Sequence, residues 1–458
     1  MFLQDESQMD LARAVYGTGC SLRVFENKLW IDSFAKLRPA FKLPNRDMLS
    51  NSLLERVYNE TSTTVKELVG TALSVASLCD GWNNIRNDGI INFVVTVPQP
   101  IFWTSIEIGA ESHTGEYMAN IVKKIICDVG PMKVLGVCTD NAANMKKAWQ
   151  LIVTEFPHIY PYGCLAHTLN LIFTDASNLK SIADSQRNCT MVVKGIKNSQ
   201  ILSALLKQHQ QKSGQIIQQS LKLPVTTRWA SIIHCMESLH NNRLALRGLA
   251  IDDEAKSLAK PIQNLLLSEV FWDKVDGFIK LLKPIAIAIA AVEGDKLSLS
   301  IIAKTFSDLE KSFQDNILCS PILKNEENAM MEIIAKRRKF HIRNIHLAAN
   351  LVDPCYKGCH ISGDEMIDAI ETLHKLGKMD SSIKECDDKI LGEIADYRSN
   401  EEYVIKGIYN MREMKHLLRL TVKDTFGNGN LPPSNSRRFY PNTATIRSHI
   451  VKIEDKLQ

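Results

Sequence analysis

Strand-like runs in this chain are confined to residues 73 to 163, and that confinement restricts its architecture more than any other feature. Leu73-Ser-Val-Ala-Ser-Leu-Cys79 is a short apolar run ending at Asp80-Gly81-Trp82. Ile90–Val97 is rich in β-branched residues, and Phe102–Ile108 follows after Pro98-Gln99-Pro100. Three such runs with short connections predict an antiparallel meander. Met118, Ile121, Val122, Ile125 and Val129 then share one helix face, which Gly130-Pro131 stops. Val134–Cys138 reads as a buried strand ending at Thr139-Asp140. Met145, Ala148, Trp149, Ile152, Val153 and Phe156 form a second helical stripe. A strand near Tyr160–Gly163 and a helix over Leu165–Phe173 complete an order of three strands, helix, strand, helix, strand, helix.

Outside this region the periodicity is helical. Leu53, Leu54, Val57 and Tyr58 carry the spacing of a short amphipathic helix, while Leu37-Arg38-Pro39 and Leu43-Pro44 break the pattern before it. From about residue 190 to about 420 the chain reads as predominantly helical. Trp272, Val275, Ile279 and Leu282 lie on one face, and Pro284 is expected to kink or restart their helix. Asn428–Asn442 is loaded with Gly, Pro, Ser, Asn and Arg and reads as loop. The expected division is therefore an N-terminal helical region (1–70), an α/β core (71–185), a helical insertion (186–370), returning helices (371–425) and a loop-rich tail (426–458).

Charge and cysteine content narrow the function classes. A net charge of +4 permits nucleic-acid binding without arguing for it. Eleven irregularly spaced cysteines, behind an N-terminus too polar for a secretory leader, read as reduced thiols and not a disulfide framework. The most apolar run, Ile285–Val292, falls far short of the ~20 residues of a membrane span. No Gly-rich phosphate loop, Gly-x-Ser-x-Gly or His-Glu-x-x-His is present.

Two aspartates are placed where chemistry could occur. Asp80 follows the first strand run and Asp140 the fourth, so in neighbouring strands their carboxylates would emerge at one edge. Paired carboxylates hold divalent metals for phosphoryl transfer, and hard oxygen ligands suit Mg²⁺ or Mn²⁺. An aspartate at a strand end is also a common turn or cap residue, and on spacing alone the cap is the better reading. Cys164 and His167 form a Cys-x-x-His pair, two ligands where a structural zinc site needs four. Cys355, Cys359 and His360 form the other such cluster, far away in sequence. Thr226-Thr227-Arg228-Trp229 offers a Trp for stacking and an Arg for phosphate, although a buried Trp beside a snorkelling Arg is the plainer alternative.

Taken together, several of these segments resemble the hAT superfamily of DNA transposases, within the subgroup carrying domain of unknown function 659 and a ribonuclease-H-like fold. The matching pieces are Cys79-Asp80-Gly81-Trp82 before Ile91-Asn92-Phe93, then Thr139-Asp140-Asn141-Ala142-Ala143-Asn144. Phe156-Pro157-His158-Ile159, Cys164-Leu165-Ala166-His167-Thr168-Leu169-Asn170, Thr227-Arg228-Trp229 and Leu351-Val352-Asp353-Pro354 follow in the family's order. The resemblance covers roughly residues 20 to 400.

It implies an α/β ribonuclease-H-like domain, a mixed sheet with flanking helices, interrupted by a large all-α insertion. It also implies that Asp80 and Asp140 are two of three metal-binding carboxylates, with Mg²⁺ or Mn²⁺ as cofactor. Arg228 and Trp229 would then contact DNA, and Cys164 and His167 would line the same region. The family's third carboxylate lies in a Ser-Glu-Arg segment after a Trp-Trp pair. Neither motif occurs here, and Glu393 matches an earlier family element. A BED zinc finger and a C-terminal dimerisation segment are likewise unmatched. The expectation is a nuclear, transposase-derived nucleic-acid-binding protein, catalytically incomplete as given. Its partners would be DNA and a second copy or an intact transposase, not a membrane or a small-molecule substrate. The alternatives are an active nuclease completed by a further segment, or a domesticated protein-interaction scaffold or relic.

Overall fold

In a computed structural model, the described residues are 2–379, apart from 85–87, 98, 110–113, 215–217, 226–229, 293–297 and 318–319, together with 391–392, 394–395 and 397. The chain divides into two compact units, residues 1–162 and 163–423. Glu393 and the loop-rich tail lie outside the described residues.

The first unit opens with helices α1 (Phe2–Thr18), α2 (Lys28–Leu37), α3 (Arg46–Ser50) and α4 (Ser52–Thr71). Met9, Ala12, Val15, Phe25, Leu49 and Leu53 bury a small core among them. Strands β1 (Val75–Asn83), β2 (Gly89–Val97) and β3 (Gln99–Ile108) follow, then α5 (Gly115–Val129), β4 (Val134–Thr139), α6 (Ala143–Glu155) and β5 (Tyr160–Gly163). The sheet order is β3-β2-β1-β4-β5. The first three strands pair antiparallel as the expected meander, and β4 pairs parallel to β1. β3 is an edge strand, where Pro100 is tolerated because its missing N–H costs no ladder bond on the open side.

One sheet face is covered by α5 and α6. Val75, Cys79, Phe93, Val95 and Val137 pack on Met118, Val122, Ile125 and Ile126 of α5 and on Met145, Ala148 and Ile152 of α6. The side-chain alternation of a strand and the i, i+3/i+4 spacing of a helix put these residues on facing surfaces. Thr114 Oγ1 accepts from Tyr117 N–H at 3.2 Å and caps the start of α5. At its end Gly130 adopts φ +115°, which L side chains avoid. Gly115 lets α5 and α6 approach closely: a Cβ there would lie 2.5 Å from Lys147 Cβ and 2.9 Å from Asn144 O.

The second unit is helical: α7 (Leu165–Ser177), α8 (Lys180–Lys197), α9 (Gln200–Lys212), α10 (Ser231–Asn241), α11 (Arg243–Ala250), α12 (Lys260–Leu267), α13 (Glu269–Val292), α14 (Ile301–Ile317), α15 (Lys324–His341), α16 (Asn344–Val352) and α17 (Gly363–Met379). Its core is centred on α13, with Trp272, Phe278 and Leu282 fully buried beside Phe306 and Phe313 of α14. Trp272 Nε1 donates to Leu266 O at 2.9 Å, so burying the indole leaves no orphan donor. Pro284 does not restart α13, which runs through it to Val292. The lost backbone bond is offset by Leu281, Leu282, Ile285 and Ile289, buried on both sides of the proline. Arg338 forks onto both oxygens of Glu365 at 2.6 and 2.8 Å, and Arg337 pairs with Asp175 at 2.6 Å. No helix among the described residues is long and apolar enough to cross a membrane, and no disulfide joins the nine described cysteines.

His341 and His346 are buried side by side, ring centroids 5.5 Å apart and nearly parallel. Thr168 Oγ1 lies 2.8 Å from His341 Nδ1, and Phe306 flanks the same ring. Burial, reinforced by Arg343, pushes His341 down to about 3. Burial, then His341 and Arg343, holds His346 well below its usual range. Both are therefore neutral when folded, whereas the unfolded chain takes up protons near pH 6.5. Stability from this pair is complete above pH 6.5 and declines as pH falls, by about 1.4 kcal/mol per pH unit per histidine at most. Urea midpoints measured between pH 6.5 and 5, above the carboxylate range, should drop with acid, and His341→Gln should reduce that slope by about half.

Candidate functional site

Asp80 lies on β1, the central strand of the sheet, and Asp140 directly follows the end of its neighbour β4. The parallel register pairs Ser77 with Val137 and Leu78 with Cys138. Two residues beyond this last pair come Asp80, inside β1, and Asp140, just past the end of β4. Asp80 does not close its strand, as the sequence suggested: β1 continues to Asn83, because Gly81, Trp82 and Asn83 still find ladder partners in Ile91, Ile90 and Gly89. Asp80 is exposed and Asp140 half-buried.

The turn after β4 fixes Asp140. Its Oδ1 accepts from Ala142 N–H at 3.1 Å, an Asx turn leading into α6. Thr139, fully buried, accepts at Oγ1 from Trp149 Nε1 of α6 at 3.1 Å and donates to the Asp140 carbonyl at 2.7 Å. The aspartate is thus a turn residue, the plainer reading of its spacing, and at the same time a carboxylate held at a strand end. Cys79, next to Asp80 but on the opposite, helix-covered face, has its thiol pushed up to about 12, by burial first and by the Asp140 charge second.

The neighbourhood holds polar groups that spacing arguments passed over. Asn92 lies opposite Asp80 in the ladder, on the same sheet face, and its Oδ1 is buried with no hydrogen-bond partner among the described residues. The Trp82 Nε1, two residues on from Asp80, is likewise buried and unpaired among the described residues. An Asn inside the run Ile90-Ile-Asn-Phe-Val-Val was the available signal, since a lone amide among β-branched residues needs a reason to be there.

The other expected site residues belong to the second unit or fall outside the described residues. Cys164 precedes α7 as its N-cap position, without a side-chain cap bond, and its carbonyl accepts from Thr168 N–H at 3.1 Å. His167 is half-buried in the first turn of that helix. Arg228 and Trp229 lie outside the described residues. Cys355 and Cys359 are exposed, in the turns between α16 and α17, where His360 packs edge-on to Tyr356. Among the described residues no three His, Cys, Asp or Glu side chains form a group able to hold a metal ion.

Comparison with known proteins follows the same division. Residues 44–192 match the family described as domain of unknown function (DUF659), and residues 162–278 match the family described as ZBED1 RNase-like helical domain. No curated protein matches the chain. The first match contains the whole sheet with both aspartates, and the second begins where the helical unit begins. Together the two matches, running from residue 44 to residue 278, support a hAT-type transposase-like protein.

Proposed function

We propose that this chain is a transposase-derived nucleic-acid-binding protein whose first unit is of the ribonuclease-H-like kind, with Asp80 and Asp140 as its divalent-cation end. The reading is carried by one observation: Asp80 and Asp140 each stand two residues beyond Leu78 and Cys138, the last pair of the parallel ladder between β1 and β4. The sheet supports it, since an antiparallel meander followed by strands reached through helices is the order expected of that fold.

The donor set suits Mg²⁺ or Mn²⁺, because carboxylates are hard oxygen ligands. A cation held there would neutralise phosphodiester charge and lower the pKa of a bound water. The chain's own contribution is positional. The Ala142 N–H holds one oxygen of Asp140, the Trp149–Thr139 bond steadies the strand end beneath it, and Asp80 stays open to solvent. Asn92, facing Asp80 across the ladder, adds an uncommitted amide oxygen on the same face.

Two carboxylates supply only part of a two-ion site, so the chain by itself is proposed to bind DNA without cleaving it efficiently. A further carboxylate from another segment or subunit would convert it into an active nuclease. Cys164 and His167, with Arg228 and Trp229, are proposed as DNA-facing groups. Nuclear localisation follows from that role, with a second copy or an intact transposase as protein partner.

Titration calorimetry with Mn²⁺ tests the carboxylate pair. Wild-type protein should bind, and Asp80→Ala/Asp140→Ala should not; equal heats from both proteins would remove the metal role. On supercoiled plasmid with Mg²⁺, the wild-type chain should leave the substrate intact, and nicking abolished by Asp80→Ala would show instead that the catalytic set is complete. Asn92→Leu removes a buried acceptor that has no partner, so it should raise unfolding stability by about 1 kcal/mol in urea titration. If Asn92 serves the site, the same change should weaken Mn²⁺ binding.

A further inference from the structure

Positive charge is concentrated in one stretch of the second unit. Residues 180–222 contain Lys180, Arg187, Lys194, Lys197, Lys207, Lys212 and Lys222 against a single carboxylate, Asp184, a net +6 in a chain whose total is +4. The rest of the molecule is therefore slightly acidic. Three of these cations, Lys180, Arg187 and Lys194, recur every seven residues along α8, which places them on one face about 10 Å apart. Arg187 is ion-paired with Asp184, while Lys194 is exposed and has no ion pair among the described residues.

That face of α8 forms one wall of an open cavity of about 830 Å³. Its rim carries Arg187, Lys194, Gln186 and Asn198. Its floor is apolar, formed by Pro224, Ile232 and Ile262. α12 is drawn up against α8 at Gly195, where an added Cβ would lie 2.2 Å from Ile262 Cδ1, so the glycine sets the depth of the floor.

We infer that this groove on α8 binds an unpaired stretch of DNA strand, its phosphates on Arg187 and Lys194 and a base over the apolar floor. Cations on the rim match phosphate, and the amides of Gln186 and Asn198 can pair with base edges. The apolar floor decides between forms of DNA: a duplex keeps its bases stacked inside and offers only phosphates to such a surface, whereas an unpaired base presents a flat ring that the floor can cover. The inference rests on the nucleic-acid-binding reading but concerns a surface of the second unit, independent of the two aspartates.

The test is fluorescence anisotropy on the full chain, with a labelled mixed-sequence single strand and the matching duplex. The single strand should bind more tightly than the duplex. Arg187→Glu/Lys194→Glu should weaken single-strand binding by about tenfold or more and flatten its salt dependence by about 1.4 in log–log slope, the release from two phosphates. Lys66→Glu/Lys124→Glu, exposed positions of the first unit with the same change in charge, should weaken it far less. Thr190→Trp, which fills the groove and keeps its cations, should reduce single-strand binding and spare the duplex; circular dichroism melts confirm that each variant is folded. Wild-type binding unaffected by the groove variants would overturn the groove and leave the nucleic-acid reading standing. So would a preference for duplex, or displacement of the strand by polyglutamate as readily as by unlabelled DNA. If the wild-type chain bound neither form of DNA, both readings would fall together.

Discussion

The parallel pairing of β1 with β4 is the contact on which the site and the first unit both depend. It buries Val75 against Val134 and lines Ser77 up with Val137, and the helices that connect and follow these strands seal one face with Met118, Val122 and Ile152. A parallel pair cannot be closed by a tight turn, so it needs the crossover through β2, β3 and α5. Close packing of α5 on α6, which Gly115 permits, holds that crossover down. With the pairing in place, two aspartates sixty residues apart in the chain each follow its last pair, Leu78 and Cys138, by two residues. If the register slipped by one residue, Asp80 would pass to the helix-covered face and Cys79 would take its place.

Polar groups at that strand end are held at some expense to stability. Among the described residues Asn92 Oδ1 and Trp82 Nε1 are buried without partners, and each such group typically destabilises a fold by about 1–3 kcal/mol. The nearby Thr139–Trp149 bond and the Asx turn at Asp140 work in the opposite direction, tying the strand end to α6. The second unit shows the contrasting arrangement. Its core around Trp272, Phe278 and Phe306 is apolar, its buried indole is hydrogen-bonded, and its charge is displaced onto the outside of α8.

Much of this was legible in the chain. The order of three strands, helix, strand, helix, strand follows from runs such as Ile90–Val97 and from stripes such as Met145, Ala148, Trp149 and Ile152, because burial on one face forces a period that the residues record. The family resemblance was carried by short segments around Asp80, Asp140 and Cys164, and the two family matches cover all three. Strand ends were less legible. Gly81 and Asn83 look like turn residues, yet they pair with β2, since a ladder partner outweighs local propensity. Pro284 looked like a break in α13, and burial of the residues flanking it kept the helix continuous.

The sequence by itself determined which segments are strands, which are helices and which family they belong to, because those properties depend on residue type and near-neighbour spacing. Only the tertiary structure decided that β1 and β4 are neighbours with Leu78 beside Cys138, that Asn92 faces Asp80, and that Arg187 and Lys194 border a cavity floored by Ile232 and Ile262. Those placements are set by long-range ladder bonds and by packing between helices, and such contacts leave no periodic mark on the residues that make them.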